Sequence, residues 1–114
     1  LQKVSALPAS FSGDNLTADI HLSKDGRYLY VSNRGHDSIA VFAVGGDGLL
    51  QSCEWFSCGG EGPRHFRLID EDLLLIANQV SGNLVCIRRN PTTGALKDIC
   101  SEVSIPSVVF TLPI

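Results

Sequence analysis

The sequence has 114 residues, of which 44% are hydrophobic and 18% charged, a composition typical of one small folded domain. Its formal net charge of −3 gives no general attraction toward nucleic acid or membrane surfaces, so neither is expected as a partner. No apolar run approaches the roughly 20 residues that a membrane span requires. The first ten residues, LQKVSALPAS, lack a basic segment followed by an apolar one, so no signal peptide is expected.

The cysteines do not form a metal-binding pattern. Cys53 and Cys58 are five residues apart, wider than a zinc knuckle, and no second close pair accompanies them. We therefore expect no zinc knuckle at these cysteines, and no cofactor is predicted for the chain. A disulfide is an alternative, but we expect a cytoplasmic location, where thiols are the default state. No base is placed beside Cys58 in the sequence, so a nucleophilic role is not expected.

The chain opens with a lead-in over residues 1–16, which is expected to be the outer strand of a preceding unit. Residues 17–58 then hold four segments with the alternating pattern of β-strands: ADIHLS, YLYVSN, SIAVFAV and LLQSCEWFS. The KDGR turn between the first two contains Asp-Gly, a strong hairpin signal. The SNRGHD loop carries an arginine, a histidine and an aspartate, and polar loops held between stiff strands often carry function.

A second unit covers residues 59–104 and follows the connector CGGEGP. Its predicted strands are RHFRLI, LLLIAN, NLVCIRR and LKDICSEV. The tail, residues 105–114, has a proline near its start, as the second unit does. We expect this tail to be a closing strand. No window repeats apolar residues at three-four spacing, so no helix is predicted.

The two units are copies of one pattern. Asn33 and Asn78 lie 45 residues apart, and Leu22 and Leu68 lie 46 apart. A period of about 45 residues with several short strands is typical of a propeller blade. We therefore predict an all-β fold: a β-propeller of about two four-stranded antiparallel blades in a single partial domain, residues 1–114. Two blades cannot close a ring, so we expect missing blades or self-association to cover the open edges.

Polar side chains are expected to converge on one rim of these blades. Because the strands alternate in direction, the connector and the SNRGHD loop emerge on the same face. Arg34 and Arg64 then share a rim with His36 and His65, and Asp19 and His21 on the innermost strand approach the channel. A guanidinium suits phosphate or carboxylate, and a nearby histidine can move a proton near neutral pH. The pattern favours a small anionic ligand at the channel mouth.

Each of these residues also has a structural explanation. Arg34 could stack on a neighbouring blade, and His36 could pair with Asp37 to stabilise their loop. Asp37 is expected to cap the turn through its own backbone. His65 could be a satisfied core histidine, and His21 is expected to be structural rather than catalytic.

Two strings resemble a known family, ADIHLSKDGRYLYVSNRGHDSIAVF and GGEGPRHFRLIDEDLLLIANQVSGNLVCIRRNPTTGAL. They are similar to the lactonase family of seven-bladed propellers, which includes propeller-type 6-phosphogluconolactonases and carboxy-cis,cis-muconate lactonising enzymes. The resemblance covers nearly the whole chain and implies the last two blades of the ring. It implies hydrolysis of 6-phosphogluconolactone to 6-phosphogluconate in the pentose phosphate pathway, without a metal.

The resemblance also implies roles for individual residues. Arg34 matches an arginine that belongs to the proposed site in the muconate branch, and Arg64 and His65 fall on the family's PRHF or PRDF string as candidates for ligand binding. The histidine and glutamate suited to acid–base work would lie in blades outside this chain, so we expect this piece alone to be inactive. Two alternatives are a non-catalytic propeller that binds a partner and a muconate-type cycloisomerase that acts on a dicarboxylate.

Overall fold

The computed structural model describes residues 15–104, together with residues 7 and 13. Eight strands fill this range: β1 (Leu16–Leu22), β2 (Tyr28–Arg34), β3 (Ser38–Val44), β4 (Leu50–Ser57), β5 (Pro63–Ile69), β6 (Leu73–Asn78), β7 (Asn83–Arg89) and β8 (Leu96–Ser104). They coincide with the eight segments whose alternation predicted strands, and the described range holds no helix. The all-β fold class is therefore confirmed. None of the described segments is a helix long and apolar enough to cross a bilayer.

The strands form two four-stranded sheets, in the orders β1-β2-β3-β4 and β5-β6-β7-β8. Every strand runs antiparallel to its neighbour in the chain, which is why short turns are sufficient connections. Gly26, in the turn predicted from Asp-Gly, has a φ of 74°, a conformation that glycine adopts without a Cβ clash. The expected strands over 1–16 and 105–114 lie outside the described residues, apart from positions 7, 13, 15 and 16.

The hydrophobic core lies between the two sheets. Side-chain alternation sends Tyr30 and Val41 from the first sheet toward the second, where they meet Phe66 and Ile76. All four side chains are buried. Strand β5 contacts both β1 and β2, so the first strands of the two blades lie side by side. Each blade thus buries one face against its neighbour.

A buried arginine joins the two blades at the rim that carries the KDGR and NPTTG turns. Arg89 on β7 donates from Nε to the Tyr30 hydroxyl and from Nη1 to the Glu71 carbonyl. The Tyr30 hydroxyl donates in turn to the Gly94 carbonyl at 2.6 Å. The guanidinium carbon lies 5.5 Å from the centroid of the Tyr30 ring, within cation–π range. Burial raises the pKa of Tyr30, so this hydroxyl stays a hydrogen-bond donor.

The other face of the first sheet is apolar and partly open. Ile20 and Leu22 pair in register with Val31 and Leu29, and they are 59% and 56% exposed. Within the described range no third sheet lies against this face. Exposed apolar side chains on a sheet face are what the sequence predicts for two units of a ring. That further blades or a second copy cover them stays a prediction.

Candidate functional site

Three loops meet on one rim: the β2–β3 loop, the β4–β5 connector and the β6–β7 loop. Asp37 joins the first two, because its Oδ1 accepts a hydrogen bond from the Gly62 N–H at 3.0 Å and its carbonyl accepts one from the Cys58 N–H at 3.1 Å. The Gln79 N–H then donates to the Gly62 carbonyl at 2.8 Å, which brings in the third loop. The prediction that these loops share a rim is confirmed.

The β2–β3 loop is held by its own polar side chains. Asp37 has a φ of 59°, and its Oδ1 also accepts from the Gly35 N–H at 3.3 Å, so the expected capping role is confirmed. His36 Nδ1 lies 2.6 Å from Ser38 Oγ, and the His36 N–H donates to Asn15 Oδ1 at 3.0 Å. The His36 ring is therefore anchored inside its loop, and its contact with a ligand stays a prediction.

The glycine-rich connector is shaped by close packing. A Cβ at Gly60 would collide with Ser81 Oγ and would lie 2.8 Å from Asn78 Nδ2, so any larger residue there would force these side chains to move. Asn78 Nδ2 also donates to the Cys58 carbonyl at 2.9 Å, so this side chain bonds the backbone of the connector. Its equivalent in the first blade, Asn33, donates to Ser38 Oγ at 3.3 Å. The connector thus fixes the seam between the blades.

Cys58 sits at the start of this connector and is fully buried. Its Sγ donates to the Gly60 carbonyl at 3.1 Å, and burial raises the pKa of the thiol to about 11. The thiolate is the reactive form of cysteine. The buried thiol of Cys58 is therefore poorly suited to act as a nucleophile, which agrees with the sequence analysis above.

We expect Cys58 to resist iodoacetamide at pH 8 in the folded protein and to react once guanidinium unfolds it. The pKa of this thiol is higher in the folded state than the ordinary 9.0, so the unfolded state loses its proton first. Stability is thus unaffected below pH 9 and falls by about 2 kcal/mol as the pH rises to about 11. Mass spectrometry of alkylated peptides checks the first point, and urea unfolding of Cys58→Ala, which lacks this alkaline loss, checks the second. Rapid labelling of the folded protein would contradict both.

Two arginines lie at this rim, one in each blade. Arg34 ends β2, and Arg64 is the second residue of β5. Arg64 Nη1 donates to Gln79 Oε1 at 3.3 Å, whereas Arg34 Nε is buried and has no acceptor among the described residues. Neither guanidinium is in an ion pair with a described carboxylate. The rim therefore carries two guanidinium groups that form no ion pair with a described carboxylate, an arrangement suited to binding an anion.

Two of the predicted histidines meet one carboxylate at the seam between the blades. Asp19 Oδ2 lies 3.2 Å from His21 Nε2 and 3.9 Å from His65 Nδ1, and it accepts a hydrogen bond from the Phe66 N–H at 3.3 Å. The His21 ring meets the Phe66 ring edge-on, with centroids 4.7 Å apart. The sequence placed Asp19 near the channel but gave it no role. The signal was the spacing of Asp19 and His21, which puts both on one face of a strand.

No three His, Cys, Asp or Glu side chains within residues 15–104 are grouped so as to hold a metal ion. A cleft of about 560 Å³ opens at the opposite rim, and it is lined by Lys24, Leu68, Asp70, Glu71 and Arg89. Its charges are mixed, and it is remote from Arg34 and Arg64. The rim that carries those two arginines is therefore the candidate site.

The chain belongs to the lactonase family: the family model described as a lactonase, 7-bladed β-propeller, matches residues 1–113. The two blades described above correspond to part of that family's seven-bladed architecture. The prediction of this family from the ADIHLS and GPRHF strings is confirmed.

Among individual relatives, the chain is 44% identical over 109 residues to the 6-phosphogluconolactonase of Bacillus subtilis, covering 93% of this chain and 31% of that protein. The periplasmic gluconolactonase of Pseudomonas aeruginosa has a similar structure, with a TM-score of 0.87 and 36% identity over 92% of this chain and 30% of the other. A protein from Lactobacillus plantarum gives a TM-score of 0.86 at 39% identity, over 90% and 30%. The chain therefore spans about a third of the length of the relatives it matches.

Proposed function

We propose that the protein containing this chain hydrolyses a sugar lactone, with 6-phosphogluconolactone as substrate and 6-phosphogluconate as product. One observation carries the proposal: two guanidinium groups that form no ion pair with a described carboxylate lie on one rim of a lactonase-family propeller. A phosphorylated lactone offers two matching acceptors, the phosphate and the carbonyl oxygen. Guanidinium forks bind such oxygens in pairs of parallel hydrogen bonds.

The two arginines differ in how they are held, which suggests different roles. Arg34 is half-buried at the end of β2, with its Nε enclosed, and a fixed donor of this kind suits the oxygen on which charge develops. Arg64 is exposed and is bound by a neutral side chain, Gln79, that an anion can displace. We assign the developing oxyanion to Arg34 and the substrate phosphate to Arg64. His36 and His65 are expected to contact the remaining polar groups of the ligand.

The chain by itself offers only part of such a pocket. It spans 31% of the length of the Bacillus subtilis 6-phosphogluconolactonase, so other blades would form the rest of the channel wall. The apolar outer face of the first sheet would also need a covering partner, either those blades or a second copy. We therefore assign activity to the full-length protein and expect the 114-residue piece alone to be inactive.

The proposal is tested with a substrate panel on the full-length protein. We expect hydrolysis of 6-phosphogluconolactone well above its spontaneous rate, and a higher KM for the unphosphorylated gluconolactone. Arg64→Ala should raise KM for the phosphorylated lactone by about tenfold or more, because a charge-assisted hydrogen bond contributes about 1.5–3 kcal/mol. The same variant should leave KM for gluconolactone nearly unchanged.

A pH indicator measures every reaction in the panel, because lactone hydrolysis releases a proton and lactonisation of a carboxymuconate takes one up. Conversion of a carboxymuconate in place of any sugar lactone would transfer the protein to the cycloisomerase branch. A folded full-length protein that hydrolyses no lactone would instead support the alternative of a non-catalytic propeller that binds a partner. An equal effect of Arg64→Ala on both lactones would remove the phosphate-binding role of Arg64.

A further inference from the structure

Both innermost strands are interrupted at the seam between the blades. The pairing of β1 with β2 shifts register between Thr17 and Ile20, and that of β5 with β6 shifts between Pro63 and His65. A β-bulge bends the strand and re-aims side chains, and bulges are over-represented beside active sites. The two irregularities lie next to Asp19 and His65, which approach each other across the seam.

The bulge in β1 directs the Asp19 carboxylate across the seam. The Asp19 N–H donates to the Ser32 hydroxyl at 3.0 Å, so this backbone donor is bonded to a side chain of β2. Asp19 Oδ1 accepts from the Ile20 N–H at 3.0 Å, and Oδ2 accepts from the Phe66 N–H of the second blade at 3.3 Å. With backbone donors on both oxygens, the carboxylate has a fixed position between the blades.

Two imidazoles face this carboxylate from opposite blades. His21 Nε2 lies 3.2 Å from Asp19 Oδ2, and its ring is held edge-on against Phe66. His65 Nδ1 lies 3.9 Å from the same oxygen, at ion-pair distance, and the His65 side chain is 46% exposed. These histidines are the titratable groups that contact Asp19 from β1 and β5, and β2 contributes the neutral Ser32. His21 thus supports Asp19, whereas His65 is open to a ligand.

We infer that His65 is the general base of the lactone hydrolysis and that Asp19 is the residue that positions it. This inference rests on the proposed function, and it assigns to His65 the acid–base work for which the family resemblance implied a histidine in another blade. A carboxylate that accepts Nδ1–H fixes the imidazole tautomer whose Nε2 carries a lone pair. The gap of 3.9 Å fits an unliganded site, because catalytic hydrogen bonds often tighten only when substrate is bound. His65 also follows Arg64 directly, at the rim end of β5.

The reaction then proceeds by a balanced sequence of bond changes. His65 Nε2 takes a proton from water while the water oxygen bonds to the lactone carbonyl carbon. The carbonyl electron pair moves onto its oxygen, beside the Arg34 guanidinium. The tetrahedral intermediate collapses by breaking the bond between that carbon and the ring oxygen, and the proton held by His65 passes to the ring oxygen. The product is the open hydroxy acid, and no co-reactant besides water is consumed.

The test compares Asp19→Asn, His65→Ala and His21→Ala in the full-length protein, with Asp98→Asn as the matched control. Asp98 is an exposed carboxylate that pairs with Arg88 on the outer edge of the second blade. His65→Ala should lower kcat by about 10²- to 10⁴-fold with KM little changed. Added imidazole should restore part of that activity, and the rising limb of the pH profile should disappear.

The Asp19→Asn variant tests the positioning role separately. Its side-chain amide keeps an oxygen for the Phe66 N–H, so the variant should fold. It should lower kcat about 10²-fold, because an imidazole held in the wrong orientation or tautomer is a poorer base. The rising limb of the pH profile should remain, since His65 is still present. Asp98→Asn should behave as the wild-type protein in every assay.

Three outcomes would overturn the inference. The first is unchanged kcat in both His65→Ala and Asp19→Asn while the wild-type protein hydrolyses lactone, which leaves the proposed function intact. The second is a loss in His21→Ala that imidazole rescues while His65→Ala stays active, because the base is then His21. The third is a folded wild-type protein without lactonase activity, which removes the proposed function as well. Thermal unfolding of each variant separates these results from loss of the fold.

Discussion

Replacing Arg34 with alanine in the full-length protein is expected to lower kcat for lactone hydrolysis by about 10²- to 10³-fold, the usual effect of removing one donor to a developing oxyanion. Arg34 is the last residue of β2, and its Nε is enclosed without an acceptor among the described residues. Because charge appears on the carbonyl oxygen only as water attacks, the loss should fall on kcat more than on KM. Initial-rate measurements on 6-phosphogluconolactone, corrected for spontaneous hydrolysis, give both constants.

Two further variants make this result specific. Arg88→Ala removes an arginine that is 59% exposed and pairs with Asp98 far from the rim, and it should behave as the wild-type protein. Arg34→Lys keeps the charge but loses the planar fork, so we expect activity between those of wild type and Arg34→Ala. If the folded Arg34→Ala protein hydrolyses the lactone at the wild-type rate, Arg34 has only the structural role of stacking on a neighbouring blade.

The largest effect on stability is expected from Gly94→Ala, at up to about 4 kcal/mol, the sum of a backbone and a packing cost. Gly94 has a φ of 74°, and a Cβ there would collide with the Tyr28 ring. Positive φ costs a non-glycine residue about 1 kcal/mol, and overpacking of a close contact adds up to about 3 kcal/mol. The Gly94 carbonyl also accepts the Tyr30 hydroxyl, so any shift of this turn strains the junction between the blades. Urea-induced unfolding followed by circular dichroism measures the change.

Gly48 provides an internal control, because it occupies the same place in the first blade. It has a φ of 81°, but a Cβ there would meet nothing within 4 Å. Gly48→Ala should therefore cost only the backbone strain, about 1 kcal/mol. Equal destabilisation by the two substitutions would show that the contact with Tyr28 contributes nothing.

The strands and the family could be read from the sequence because the signals are local and repeated. Alternation with a period of two marks a strand wherever one face is buried, and the Asp25–Gly26 turn marks a hairpin over a few residues. The copy of this pattern about 45 residues later then indicates a blade. The shared rim of Arg34 and Arg64 follows from strand direction alone, so it too was predictable.

The contacts across the seam could not be read in the same way. Arg89 and Tyr30 are 59 residues apart, and neither the spacing nor the repeat pairs them. Cys86 lies half-buried next to Cys100, whose Sγ donates to the Cys86 carbonyl at 3.3 Å, and no spacing in the sequence pairs these two residues. Such pairings depend on how the strands are placed in register and how the two sheets are rotated against each other.

Sequence alone determined that this chain folds as two antiparallel four-stranded sheets of the lactonase propeller, because alternation and turn chemistry act over a few residues and occur twice. Only the tertiary structure decided that Asp19 lies between His21 and His65, because a bulge in each inner strand changes where a side chain points. Bulges leave no mark in an alternating pattern, and they become visible when the two blades are packed together.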